Sequence, residues 1–201
     1  MFRTTAAAVL ALSLAGAAVA QAPPTPSVVR GKVASLAGAT LMVKPDRGPA
    51  QAITLTPNWV VSVTKPVPID AIKPGSFIGT SNMPTKDGGG RSLEVHVFPP
   101  GVKMGEGHYG WDLRKGSMMT NGTVGTVVAG KRGSRELDVS YSYGKRHITV
   151  PANVPVVQIT PGRRDQIKPG VPVFLVVQKR PDGTTMAGGV SIGENGARPP
   201  M

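Results

Sequence analysis

Residues 96–119 bring together two of the chain's three His and three of its eight Met. His96, Met104, His108, Met118 and Met119 supply two imidazoles and three thioethers within a short stretch. Thioethers and imidazoles together suit Cu(I), and carboxylates, which would favour harder metals, are scarce nearby. The spacing argues against an assembled site. There is no M-x-x-M or H-x-x-x-H, and two adjacent methionines on a strand face opposite ways. "GEGHYG" at 105–110 meets the glycine spacing of a dinucleotide loop. That chemistry requires a helix opening on the last glycine to receive the pyrophosphate. The residues that follow, "WDLRKGSMMTNG", are too short and too broken by glycine to form it, so the stretch reads as a glycine-rich connector. Ser117, His108 and Asp112 are the residue types of a hydrolytic triad, but no G-x-S-x-G turn presents a nucleophile. No pair of acids has the spacing of a glycosidase dyad, and no enzymatic activity is expected. Tyr109 and Trp111 stand two apart in a chain with only 4% aromatic residues. The first reading for them is a staple that caps a barrel and ties two domains together, and the second is a platform for an extended ligand.

The elements that would position these residues begin after an export signal. Arg3, a small and apolar run from Ala6 to Val19 and the sequence Ala18-Val19-Ala20 have the order of a secretory signal peptide, with cleavage expected near Ala20. The run is shorter than the roughly 20 residues that span a bilayer, and no later stretch competes with it. A periplasmic or secreted bacterial protein with no transmembrane segment after cleavage is therefore expected. The chain has no Cys, which rules out disulfides, thiolate metal sites and cysteine nucleophiles. Its 23 Lys and Arg outnumber its 11 Asp and Glu for a net charge of +12, and loss of Arg3 with the signal lowers that by one. Such a surface draws anions at long range. For an exported chain the expected counter-charge is anionic envelope material, such as lipid head groups, acidic glycans or peptidoglycan carboxylates, and not nucleic acid.

The rest of the chain repeats itself. "IKPG" at 72–75 returns at 167–170, an offset of 95, and Asp70/Asp165, Asp87-Gly88/Asp182-Gly183 and Ile53-Thr54/Ile148-Thr149 keep that offset. "GKV" at Gly31 and "GTV" at Gly122 are offset by only 91, so residues are inserted early in the second copy. Within each copy Val, Ile and Thr cluster in short alternating runs cut by Gly, Pro, Asn and Asp, the pattern of strands. Leu93, Val95 and Val97 point one way, while Glu94 and His96 point to a polar face, where His96, matching Ser191, is expected to be exposed. One short helical turn precedes each Pro-Gly. The fold expected is all-β: two tandem small OB-like β-barrels related by an internal repeat. The boundaries are a signal peptide at 1–20, a disordered linker at 21–27, barrel repeat 1 at 28–98, a Gly, Met and aromatic joining segment at 99–120, barrel repeat 2 at 121–193, and a disordered tail at 194–201.

The pattern V-x-G-x-V, a Gly-bounded hairpin, I-x-L, D-x-I-K-P-G, a strand, D-G and V-x-V resembles bacterial exported OB-like domains of unknown function. Val29, Gly31, Val33, Ile53, Leu55, Asp70, 72–75, Asp87, Gly88, Val95 and Val97 carry it in the first copy. Gly122, Val124, Ile148, Val150, Asp165, 167–170, Asp182, Gly183, Val190 and Ile192 carry it in the second. The resemblance implies a fold and no reaction. Two functions are expected on these grounds: a non-enzymatic exported binding or scaffolding protein with no cofactor, or a periplasmic copper-binding protein using the His and Met residues named above.

Overall fold

The computed structural model describes residues 26–201. The stretch expected to be a signal peptide, 1–20, and the expected linker as far as residue 25 lie outside the described residues. Within them, the apolar runs form thirteen strands: β1 (Ser27–Ala37), β2 (Thr40–Pro45), β3 (Gln51–Pro66), β4 (Phe77–Pro84), β5 (Gly90–Ser92), β6 (Val95–Val97), β7 (Gly107–Gly110), β8 (Met118–Ala129), β9 (Arg135–Tyr141), β10 (Gly144–Val150), β11 (Val156–Pro161), β12 (Pro172–Lys179) and β13 (Thr185–Gly193). The only helices among the described residues are short 3-10 turns, and none is long and apolar enough to cross a membrane. Ser27, placed in the linker by composition, opens β1.

The strands close two rings. In the first, β1 pairs with β2 and β12, β2 with β3, and β13 with both β12 and β3, giving a closed five-stranded barrel. In the second, β8 pairs with β9 and β4, β9 with β10, and β5 with both β10 and β4. Antiparallel β11 and β3, with β6 beside β11, join the rings into one continuous sheet. Each ring is filled by the inward side chains of its own strands, and Val95 of the adjoining β6 adds to the second. Leu41, Val43, Ile53, Leu55 and Leu175 are buried in barrel one, and Ile78, Val95, Leu137, Val139 and Ile148 in barrel two. At about 25 cal/mol per Å² of apolar surface, these two clusters supply the main stabilisation of a chain without disulfides.

The pairing corrects the expectation of two barrels closed within 28–98 and 121–193. Each barrel takes three strands from the first half of one copy and its closing strands from the second half of the other. Barrel one is β1–β3 with β12 and β13, and barrel two is β8–β10 with β4 and β5. The Pro-Gly turns mark the crossing. Gly75 N–H donates to Val124 O (2.8 Å) and Val124 N–H to Ser76 O (2.9 Å), while Gly170 N–H donates to Val33 O (2.8 Å) and Val33 N–H to Val171 O (3.0 Å). Thus the turn of each copy docks on the opening strand of the other. Gly75 and Gly170 sit at φ +82° and +87°, a backbone that any residue with a Cβ adopts only under strain. Both opening strands carry a bulge just beyond this contact, at 33–35 and at 124–126.

The tail at 194–201 is also not as composition suggested. Met201 is buried against Trp111 and Phe174, Arg30 Nε donates to Met201 O (2.7 Å), and Arg198 pairs with Asp46. A methionine laid on an aromatic surface, a bond to its carbonyl and one ion pair together dock a Pro-rich segment that has no core of its own.

Candidate functional site

Between Phe98 and β8 the chain crosses from barrel two to barrel one. Gly105 and Gly107, both at positive φ, reverse it so that β7 pairs antiparallel with β8, with His108 opposite Thr120 and Tyr109 opposite Met119. The glycines of "GEGHYG" therefore serve a strand reversal, and no helix follows them. Beyond Gly110 a tight turn, held by Trp111 N–H to Ser117 O (2.9 Å) and Ser117 Oγ to Trp111 O (3.1 Å), lays residues 111–115 on barrel one.

Tyr109 and Trp111 are both buried, each over a different barrel. The Tyr109 hydroxyl donates to Gly105 O (3.0 Å) and accepts from Asn121 Nδ2 (2.7 Å), which also donates to Gly105 O (2.7 Å). Burial pushes the phenol up to about 12, so it stays neutral. Trp111 packs on Phe174 of β12, with ring centroids 6.2 Å apart. The Arg30 guanidinium lies 5.8 Å from the Trp111 ring centre and 5.3 Å from that of Phe174, and its far side forms an ion pair with Asp112 (2.8 Å). A cation between two π faces gains both electrostatic and packing energy. The Trp111 indole N–H is buried without an acceptor.

The five candidate metal ligands do not converge. Met104 is 61% exposed, Met119 is buried with Tyr109 and Trp111, and Met118 lies half-buried between Asn82 and Gly110. His108 points away from Met119, because neighbouring residues on β7 alternate faces. Its Nδ1 bonds Thr120 Oγ1 (2.8 Å) and its ring stacks on Tyr141. Burial, assisted by Arg146, lowers its pKa to about 4, so the imidazole is neutral. Among the described residues no three His, Cys, Asp or Glu side chains are grouped to hold a metal. Ser117, His108 and Asp112 are likewise apart, bonded to Trp111, Thr120 and Arg30 respectively.

His96 corrects the expectation of an exposed histidine. The face of β6 that carries it is covered by side chains, with Phe98 against the ring (centroids 5.2 Å) and Asn121 beyond it, and His96 is buried beside a fully buried Glu94. Glu94 Oε1 accepts from Ser81 N–H (2.7 Å), and Oε2 meets His96 Nδ1 at 3.1 Å. The His96 ring stands over Gly79, where a Cβ would overlap both His96 Nε2 and Asn121 Oδ1. Around this pair Thr80 Oγ1 donates to Glu94 O (2.6 Å), and Asn82 Nδ2 donates to Thr120 Oγ1 (3.0 Å), the partner of His108. Polar side chains thus lie on both faces of β4 and β8, with His96, Glu94 and Asn121 on one and Thr80, Asn82, Thr120 and His108 on the other. The sequence signal for them is "TSN" in β4 and "TN" in β8, polar residues where alternation calls for apolar ones.

A cleft of about 510 Å³ opens beside the crossing segment, between the β1 and β2–β3 rim of barrel one and residues 112–115. Its lining carries Arg30, Arg47, Arg114 and Lys115 against two acids, Asp46 and Asp112. Both acids are spent in ion pairs, with Arg198 and Arg30. Among the described residues Arg47, Arg114 and Lys115 have no ion-pair partner. Comparison with known proteins finds no family model, curated protein or solved structure that matches the chain.

Proposed function

We propose that this chain is an exported, non-enzymatic binding protein made of two OB-like barrels from an internal repeat, and that it takes anionic envelope material in the cleft between barrel one and residues 112–115. The observation that carries the reading is the charge balance of that cleft. Its acids are already neutralised by ion pairs, while Arg47, Arg114 and Lys115 line it from two separate segments with charge to spare. Arg presents a planar fork suited to carboxylate and phosphate oxygens. The excess of Lys and Arg over Asp and Glu, 23 against 11 in the full chain and one base fewer once Arg3 is removed, adds long-range attraction for the same ligands. Trp111 and the Arg30–Asp112 pair hold the segment side of the cleft, so the site is formed before the ligand arrives. Copper binding draws no support from the placement of His96, Met104, His108, Met118 and Met119, and stoichiometric retention of Cu(I) would reopen it.

The test is retention of the mature chain on peptidoglycan sacculi and on phosphatidylglycerol vesicles. Binding at low salt that is released at high salt is expected, and it should be weakened by joint Arg47→Gln, Arg114→Gln and Lys115→Gln substitution. A wild-type chain that stays in solution with every anionic material at low salt would end the proposal.

A further inference from the structure

We infer that barrel two carries a separate groove for an acidic saccharide, built by a turn that barrel one does not have. In barrel one, β1 and β2 are joined by Gly38 and Ala39 alone, whereas β8 and β9 are joined by residues 130–134, "GKRGS". This longer turn falls where the offset between the copies rises from 91 to 95. It walls a concavity of about 990 Å³ together with Arg91 of β5, Thr149 near the end of β10 and residues 151–153 that follow it.

Three features of the groove point to a ligand. Arg91, Lys131 and Arg132 line it without an ion-pair partner among the described residues. Its one acid, Glu136, is already engaged by Thr149 Oγ1 (2.8 Å) and faces His147 Nε2 (3.2 Å). Finally, Arg132 is held at φ +54°, ψ +37°, a left-handed backbone that costs energy in any residue with a Cβ. A glycine would close this turn without strain, as Gly38 does in barrel one at φ +56°. Strain kept at one residue in the wall of a basic concavity is the kind of outlier that function explains and folding does not.

The lining selects the ligand class. No aromatic side chain lines the groove, so it offers no stacking platform for nucleic-acid bases. Its apolar residues are Ala129, Pro151 and Ala152, too small to seat an acyl chain. Guanidinium and ammonium groups beside the exposed amide of Asn153 match a ligand bearing both carboxylates and hydroxyls. The volume lies within the range of small-ligand sites. The inference rests on the reading of the protein as a binder of anionic envelope material, but it uses none of the cleft residues of barrel one.

The experiment titrates the mature chain with short oligogalacturonates by calorimetry, with maltooligosaccharide as the neutral control. Binding of the acidic sugar alone is expected. Arg132→Gly should weaken it roughly fivefold to tenfold and yet raise the melting temperature by relieving the left-handed arginine. Arg91→Gln with Lys131→Gln should abolish it, and Arg114→Gln in the other cleft should leave it unchanged. Wild-type affinity in Arg132→Gly, or a lowered melting temperature in that variant, overturns the inference. So does a wild-type chain that ignores oligogalacturonate. If that chain is still retained on sacculi or vesicles, only the groove assignment fails; if it is retained on nothing anionic, the function proposed above fails with it.

Discussion

Under Trp111, barrel one presents Arg30 and Phe174; under Tyr109, at the matching offsets of 91 and 95, barrel two presents Asn121 and Gly79. Both Arg30 and Asn121 donate to a main-chain oxygen of a connecting or terminal segment, Met201 O beyond β13 in one case and Gly105 O beyond β6 in the other. What differs is the filler. Phe174 occupies its space with a ring that supports a guanidinium, whereas Gly79 leaves room for His96 and, behind it, the buried Glu94. At the places of His96 and Glu94 barrel one has only Ser191 and Gly189. The same backbone thus tolerates an aromatic solution and a hydrogen-bonded polar one. Closing a barrel of this kind does not require the polar one, whose buried groups each cost free energy unless they are paired.

Exchanging the fillers should have the largest effect. Gly79→Phe would drive a ring into His96 and Asn121, and we expect a loss above about 4 kcal/mol or insoluble protein. A variant that melts in urea like wild type would break the correspondence between the barrels. Trp111→Ala should cost about 3–5 kcal/mol, because it uncovers Phe174, Met201 and the Arg30 guanidinium together; a nearly unmoved thermal melt would show that the segment is not a staple. Glu94→Leu alone should cost about 3–5 kcal/mol by stranding His96, while Glu94→Leu with His96→Leu should recover most of that loss. If the double variant is no better than the single one, the network supports the fold in a way its partner barrel does not need. Tyr109→Phe removes one hydroxyl with two bonds and should cost about 1–3 kcal/mol, read from the same melts.

The smallest effect expected is in pH dependence, and it separates two histidines of barrel two. His108 has a folded pKa of about 4 against 6.5 unfolded, so between these values the unfolded chain binds more protons and stability falls as pH is lowered. His147 is raised by its hydrogen bond to Asp138, with a further contribution from Glu136. Its contribution is complete below 6.5 and is lost as pH rises through the raised value. His108→Gln should flatten the acid-side loss, on the order of 1 kcal/mol after discounting for solvent, and His147→Gln should deepen it. Melting curves of both variants between pH 4 and 7 decide the signs.

Strands, turns and alternation were legible in the residues. Leu137 and Val139 are buried with Asp138 and Ser140 exposed, and both Pro-Gly and both Asp-Gly turns fall where composition places them. The choice of partner strand was not legible. Two similar copies carry the same local signals whether each closes on itself or they exchange halves, because hydrophobic period and turn residues specify a strand and its face but not which equivalent edge it meets. The same limit hid the site. His96 looked exposed because period two assigns a second face without saying whether other side chains, here Phe98 and Asn121, cover it. Trp111 and Tyr109 stood out by rarity, while Arg30, Asn121 and Phe174, which complete their surroundings, come from distant strands with no marking of their own.

The exchange of halves also sets a timetable for the nascent chain. β1 to β3 emerge first from synthesis, yet their barrel stays open on two edges until Pro172–Lys179 and Thr185–Gly193 arrive. Barrel two can close once Val150 has been made, so the later-starting ring is complete first. Loop closure between Pro66 and Pro172 has to precede any reward from the contacts it brings, which makes the last step slow. Until β12 and β13 arrive, β1 and β3 each keep one edge without its final partner, open to chaperones, proteases and other copies of the chain.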